Sequence, residues 1–450
     1  MELKMNTNKI LLPTLFLTLM PFQYAQASMG NLATTYGLLP TDMATSQSYS
    51  LFNDQVSAAY YNPASLARDT KGQLTIGMLQ ATPELEVKTT GGNNPPVRSG
   101  SVLESDQTET VLFGMKTNIT SLTKFNKPIY LALIGGVEKY GLEMLSFESG
   151  TSREGQFMQY GQKPLFLAVS MGGSAIDGVD VGFGMRVTLH ANAEMLLETD
   201  LAGNTTNEKV NVSAEPVLIP LFGLSIDMEE VACEKKAKNS GGCLFEGLDL
   251  AISYRGESNT QTQVNANATI PGTVPSPGLP LIVNTLDAYQ PMIISMGAKY
   301  QLNPSWDVAA TLEYQNWSNL TSELKSDTIK DQANLKFEDT FIPRLGTRYQ
   351  YNETLNLSAG FSYEASPLTS TESVDVNLFD NDRAVASLGL TKLYTDTNFL
   401  AFPLRIDAAY QYHLLMDRDF VLSELNEAQY ETVTTSGSAH VLSLSFSMTF

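Results

Sequence analysis

The last twelve residues, AHVLSLSFSMTF, end in nine, Leu442–Phe450, that alternate apolar and polar side chains without a break. Leu442, Leu444, Phe446, Met448 and Phe450 fall on one face, and Ser443, Ser445, Ser447 and Thr449 on the other. Successive side chains of a strand point to opposite sides, so this is a strand with one greasy and one wet face. The period recurs in VGFGMRVTLHANAE (181–194), LDLAISYRG (248–256), LNLSAGFSYE (355–364) and LRIDAAYQYHL (404–414). The spacing predicts an all-β chain of about fourteen strands, an even number as a closed antiparallel barrel requires. They begin near 72, 105, 128, 157, 178, 210, 247, 290, 305, 338, 354, 383, 402 and 430.

Alternation alone fits a soluble sandwich, whose apolar face meets a second sheet, as well as a barrel, whose apolar face meets lipid. Three features point to the transmembrane β-barrel. Tight turns (Asp177-Gly178, Asn303-Pro304-Ser305, Asn352-Glu353-Thr354) alternate with longer polar segments such as 90–104 and 366–382, the pattern of short turns on one rim and long loops on the other. Tyr349, Tyr351, Tyr363, Tyr410 and Tyr412 sit near strand ends, where interfacial girdles form. The chain closes on an aromatic, Phe450, at the end of an alternating strand, the expected recognition point for barrel-assembly machinery.

The chain start fits export. Lys4 and Lys9 precede the apolar run Ile10–Met20, and Ala25-Gln26-Ala27 offers a small-x-small cleavage site. A signal peptide is expected over 1–27, and no later run is long and apolar enough for a membrane helix. The expected place is a bacterial outer membrane. Net charge is −20, which excludes nucleic acid as a partner, since that affinity comes from Lys and Arg. Cys233 and Cys243, in the polar stretch CEKKAKNSGGC, are expected to form a disulfide in an oxidising compartment. No cofactor or metal is expected. Residues 28–70 do not alternate; a segment of that length can plug a lumen, so they are read as an N-terminal hatch, with the barrel over 71–450.

Within that segment, SLFNDQVSAAYYNPASLA carries Asn62-Pro63-Ala64, flanked by Ala59-Tyr60-Tyr61 and Leu66-Ala67. It resembles the N-P-A region of the FadL/TodX family. KYGLE (139–143), LAISYRGE (250–257), TLEYQNWSNL (311–320) and FEDTFIPRLGTRYQY (337–351) resemble further strands of that family. The resemblance runs from about 50 to the C-terminus. It implies a fourteen-stranded barrel with a lumenal hatch, acting as a monomeric passive channel for long-chain fatty acids or hydrophobic hydrocarbons. It further implies capture at an outer apolar patch, a lumenal pocket against the hatch, and sideways exit beside a kinked third strand.

The matching positions in this chain can be named. Gly135, Gly136 and Gly141 lie in the third strand, where glycine can mark a bend and so a lateral gate. Leu279, Pro280, Leu281, Ile282 and Val283 form the apolar segment expected as the outer capture loop. Asn62, Pro63 and Ala64 would shape the hatch. By parity Arg186, His190, Arg255, Arg344 and Arg405 face the lumen, where they could hold an acid headgroup or pair with wall carboxylates. The chain departs from the family in two places: LAGNTTNEK (201–209) is short where fatty-acid members carry a long loop, and Asn192 stands about where a carboxylate-binding Arg would be expected. Uncharged alkanes or aromatics are therefore an alternative ligand class, and a water-filled porin an alternative function. An enzyme is not expected: His190, His413 and His440 lie on separate strands, and neither G-x-S-x-G nor H-E-x-x-H occurs.

Overall fold

The computed structural model describes residues 32–93, 108–139, 165–199, 205–233, 243–270, 273–325, 335–371, 379–396, 400–423 and 430–450. Sixteen strands form one sheet: β1 (Gln73–Asn93), β2 (Thr108–Asn118), β3 (Ile129–Lys139), β4 (Leu165–Ile176), β5 (Val179–Thr199), β6 (Thr205–Asp227), β7 (Leu248–Arg255), β8 (Ser258–Ile270), β9 (Val274–Gln290), β10 (Ile293–Asn303), β11 (Trp306–Gln315), β12 (Thr340–Asn352), β13 (Leu355–Glu364), β14 (Arg383–Tyr394), β15 (Leu404–Ser423) and β16 (Tyr430–Thr449). Fourteen of them close on themselves. The ring runs β1 to β7, then β10 to β16, and β16 returns to β1 over Gln73↔Thr449 through Asn93↔Tyr430. Closure gives each of the fourteen strands a partner on both sides over most of its described length; toward lipid an unpaired N–H or C=O would cost several kcal/mol.

The parity read from sequence is the parity found. Leu442 and Phe446 are exposed on the outer face, while Ser443, Ser445 and Ser447 are buried within. Leu74, Ile76, Met78, Leu345, Phe361 and Leu388 join the outer apolar band. The short turns share one rim. Gly178 takes φ +77° between β4 and β5, a conformation that suits glycine. Asn303 and Asn352 accept hydrogen bonds from Ser305 N and Thr354 N, at 3.0 and 2.9 Å, the Asx geometry that reverses a chain locally. The disulfide between Cys233 and Cys243 (Cα–Cα 5.8 Å) belongs to this rim, behind the short helix α4 (Met228–Ala232).

The remaining two strands are the departure from the sequence reading. The apolar segment Leu279–Val283, expected as a loop, is part of β9, paired with Val264–Ala268 of β8. β8 in turn lies parallel to the upper part of β5, over Ala191↔Thr262 through Glu198↔Thr269. Among the described residues β4 pairs with β5 up to Leu167↔Val187, and the hairpin lies along the edge of β5 beyond that point. Alternation could not reveal it: Asn and Thr dominate β8 and four prolines fall in 271–280.

Inside the ring lies the segment Leu32–Arg68. It folds as α1 (Leu32–Thr35), α2 (Pro40–Met43), α3 (Ala58–Tyr61) and two 3-10 turns, Ser50–Phe52 and Pro63–Arg68. Helices this short do not hold themselves in water; they are held by the wall and by their own polar network. Asp42 is central to that network. It accepts from Leu39 N at 3.2 Å, Ser50 Oγ at 3.0 Å and Asn53 Nδ2 at 3.0 Å, satisfying groups that no solvent reaches. Residues 1–31, with the expected signal peptide and its cleavage site, lie outside the described residues.

Candidate transport site: hatch, lumenal charges and wall

Asn62 begins the turn Pro63–Arg68: its side chain accepts from Ala64 N, and the residue stays extended at φ −156°. Its Nδ2 donates to Leu51 O at 2.7 Å and to Ser225 Oγ of β6 at 2.9 Å, tying the hatch to itself and to the wall. Pro63 and Ala64 lie against three wall glycines. A Cβ added to Gly172 would stand 2.0 Å from Pro63 O; one added to Gly182 would stand 2.3 Å from Pro63 C and 2.4 Å from Ala64 N; one added to Gly223 would meet Asn62 Oδ1 at 2.0 Å.

The same arrangement recurs round the ring. Gly114 meets Val56, Gly346 meets Ser48, Gly360 meets the backbone of Thr45, and Gly389 meets Ala44. Each of these glycines occupies an inward position at mid-height, so the wall is thinned where the hatch backbone needs room. Sequence reasoning missed this belt. The signal was present as glycine on the polar face of strand after strand, but without the hatch it reads as low β-propensity.

The lumenal arginines are engaged by the wall and the hatch. Arg255 is fully buried, ion-paired to Glu313, and stacked 5.2 and 5.5 Å from the rings of Tyr60 and Tyr61. Arg344 pairs with Glu364 at 2.9 Å and donates to Ser46 O at 3.2 Å. Glu364 also receives Arg383, which the sequence reading did not single out. Arg186 donates to Gln290 Oε1, and Gln290 Nε2 donates to Tyr60 Oη at 3.1 Å. Arg405 pairs with Asp407 at 2.9 Å. His413 bonds Gln411 at 3.0 Å and stands edge-on to Tyr36 of the hatch. The side chain of His190 lies outside the described residues. These groups thus form a paired girdle between wall and plug, and Glu313 and Glu364 are its anionic centres.

Elsewhere the expected positions scatter. Gly135 and Gly136 sit in a part of β3 whose register is unbroken to both neighbours, over Leu112↔Gly136 and Gly136↔Phe166. Gly141 lies outside the described residues. Leu279 is exposed on the outer hairpin; the side chains of Leu281, Ile282 and Val283 lie outside the described residues. At the barrel seam Phe450 exchanges two backbone bonds with Gly72, at 2.8 and 3.0 Å, and its ring lies 5.9 Å from that of Phe402.

Comparison with known proteins agrees with this architecture. A family model described as outer membrane protein transport protein (OMPP1/FadL/TodX) matches residues 248–450. Alkane uptake protein A of Marinobacter nauticus is 42% identical over 430 residues, covering 94% of this chain and 92% of that protein. Among solved structures, a Pseudomonas aeruginosa FadL homologue superposes with TM-score 0.58 at 13% identity, over 95% of this chain and 99% of that one. The Ralstonia pickettii toluene transporter TbuX gives TM-score 0.50 at 13% identity, over 91% and 98%. At such identities the structures speak for the fold, whereas the full-length relative speaks for descent. The chain belongs to the FadL/TodX family of outer-membrane β-barrels, which are transport channels for hydrophobic compounds and not enzymes.

Proposed function

We propose that this chain is a passive outer-membrane channel whose cargo is a linear alkane. The observation that carries the reading is the 42% identity to an alkane uptake protein along 94% of the chain. The lumen supports it. Long-chain fatty acids, the first expectation from family resemblance, need a cation for the headgroup. Arg255, Arg344 and Arg405 are already ion-paired to wall carboxylates, and Arg186 is bonded to Gln290. An uncharged chain makes no such demand. Moving it out of water is worth about 0.8 kcal/mol per CH2, so roughly 13 kcal/mol for a sixteen-carbon chain. The channel need only bridge the sugar-coated outer leaflet, without fuel.

The route in this reading begins at the outer β8–β9 hairpin with Leu279, passes to the space above the hatch, and leaves sideways beside β3. β3 is paired on both sides at Gly135 and Gly136, so of its three glycines we assign the exit to Gly141. A water-filled porin is disfavoured by the hatch, whose backbone presses on wall glycines on nearly every side. Phe450, at the seam that closes the ring, is the group we assign to barrel-assembly machinery. The test is uptake of labelled hexadecane, toluene and oleate by a deletion strain with and without the gene. Hexadecane uptake restored by the gene is expected. Restoration of oleate alone would overturn the alkane reading, and large steady ion conductance in planar bilayers would restore the porin.

A further inference from the structure

The wall is not evenly zipped. β12 and β13 pair from Asn352↔Leu355 up to Arg344↔Ser362 and no further, although both chains continue toward the outer rim. The next residue of β12 is Pro343, which has no N–H to give. From there β12 pairs only with β11, through Gln315↔Thr340, and β13 only with β14, through Glu364↔Arg383. The two chains meet again higher up, at the Phe337↔Leu368 bridge and the bond from Glu338 N to Pro367 O at 2.9 Å. The interruption is therefore a bounded window: Arg344–Ser362 closes it below, Glu338–Pro367 above.

A groove lies outside the window, and a cavity of about 20 Å³ lies inside it. Outside, against lipid, is an apolar groove of about 600 Å³ that includes Ala298, Ala310, Pro343, Leu345, Phe361 and Tyr363. Its floor is shallow because alanine and proline stand where the neighbouring positions carry Met296, Leu312 and Leu345. The volume falls in the range of roughly 300–1,000 Å³ typical of small apolar ligands. Inside, a small polar cavity touches Ile342, Trp317, Glu364 and Arg383, and reaches Thr34 of the hatch. Ile342 is the buried side chain between the two spaces.

We propose that the window between β12 and β13 is a passage for alkyl chains between the outer half of the membrane and the lumen above the hatch. It rests on the hydrophobic-cargo reading, but names a different place in the wall from the exit beside β3. The apolar groove crosses β10 to β13 and leads the chain to the gap, and displacement of Ile342 opens the way inward. The strands beside the gap keep their other neighbours, so opening it breaks no ladder bond.

Two measurements test it. In the first, Pro343→Cys and Tyr363→Cys are combined; the two positions face each other in the continued register, and oxidation zips the window. Hexadecane uptake by cells carrying the oxidised protein should drop severalfold and return on reduction, while wild type is indifferent to reductant. Unchanged uptake with the cross-link formed overturns the passage. In the second, pure barrel in vesicles is irradiated with an alkyl diazirine and the labelled residues are mapped. Label on Ile342 and Trp317, suppressed by Ala310→Trp, is expected. Label confined to lipid-facing residues, at the level of Leu388 and Leu390, overturns the proposal. The second measurement does not depend on uptake. Inward labelling in a protein that moves no hexadecane would sink the transport reading and leave the window standing.

Discussion

Replacing Gly182 with valine sets a side chain against the backbone of the hatch. The first added carbon alone would stand 2.3 Å from Pro63 C and 2.4 Å from Ala64 N, whereas carbon atoms rest at about 3.5–4.0 Å. Either the hatch retreats by roughly 1 Å or the wall bows outward by as much. The wall is held on both sides of Gly182 by β4 and β6, so the hatch is the part that yields. Its retreat strains the Asn62 bonds to Leu51 O and Ser225 Oγ. Overpacking of this kind costs about 1–3 kcal/mol, enough to shift a plug while the closed ladder survives. The expected outcome is a barrel that keeps its heat-modifiable gel mobility but gains ionic conductance in planar bilayers and protease cleavage within 32–68. Gly91→Val is the control, since nothing lies within 4 Å of that position. A Gly182→Val barrel with wild-type conductance and an uncut hatch would refute the reasoning.

Three further outcomes follow from the same geometry. Glu364→Gln leaves Arg344 and Arg383 buried without their shared anion, and breaking a buried pair costs about 3–5 kcal/mol; thermal melting in detergent should fall accordingly, and an unchanged melting point would show the girdle to be idle. Reduction of Cys233–Cys243, or its double serine variant, frees a loop whose ends are ten residues apart. The loss should be no more than about 2–3 kcal/mol, with protease cutting first within 228–247; a collapse of the whole barrel would contradict a rim role. Asp380 lies in the outer loop before β14, and burial pushes its carboxyl above the ordinary value against the opposing pull of Ser366, Arg383 and Arg418. Its ionisation works against the folded loop, so stability is fullest below the unfolded carboxylate range near pH 4 and declines as pH rises toward the raised value. Asp380→Asn should flatten that decline in melting curves taken across acid pH; an identical slope would remove Asp380 as its source.

The wall was legible because a membrane imposes a two-faced strand on the residues that cross it. The predicted start near 383 coincides with β14, those near 72, 178, 247, 305 and 354 fall one residue from the strands found, and the even count holds for the closed ring. The hatch was legible only by exception, as the stretch before β1 that does not alternate. What escaped were features set by contact across long sequence distance. The glycine belt has meaning only once Thr45, Pro63 and Val56 are in place, some 60 to 315 residues from their glycines. The girdle was half seen, since parity turned Arg255 and Arg344 inward but could not say that Glu313 and Glu364 meet them. The β8–β9 hairpin lies along the upper edge of β5, with Thr262 beside Ala191, a pairing that no local pattern encodes.

A carrier of greasy molecules that fills its own middle with charge and hydroxyl groups calls for an explanation, and the hatch supplies it. Short helices expose backbone polar groups at both ends, and within a barrel no water reaches most of them. Asp42, Asn53, Asn62 and Gln411 answer those groups one by one; Gln411 Nε2, for example, donates to Met43 O at 2.8 Å. A plug so bonded is specific to its wall, and a hydrocarbon offers nothing to replace a bond it would break. On the proposed reading the cargo keeps to where the polar network ends: above the hatch, near Trp317 and near Leu320 and Leu324 of the helix Ser318–Leu324, and at the wall itself. Both regions adjoin the β12–β13 window. A lumen polar at its waist is thus the physical ground for proposing a path that leaves through the wall over one that runs straight down the axis.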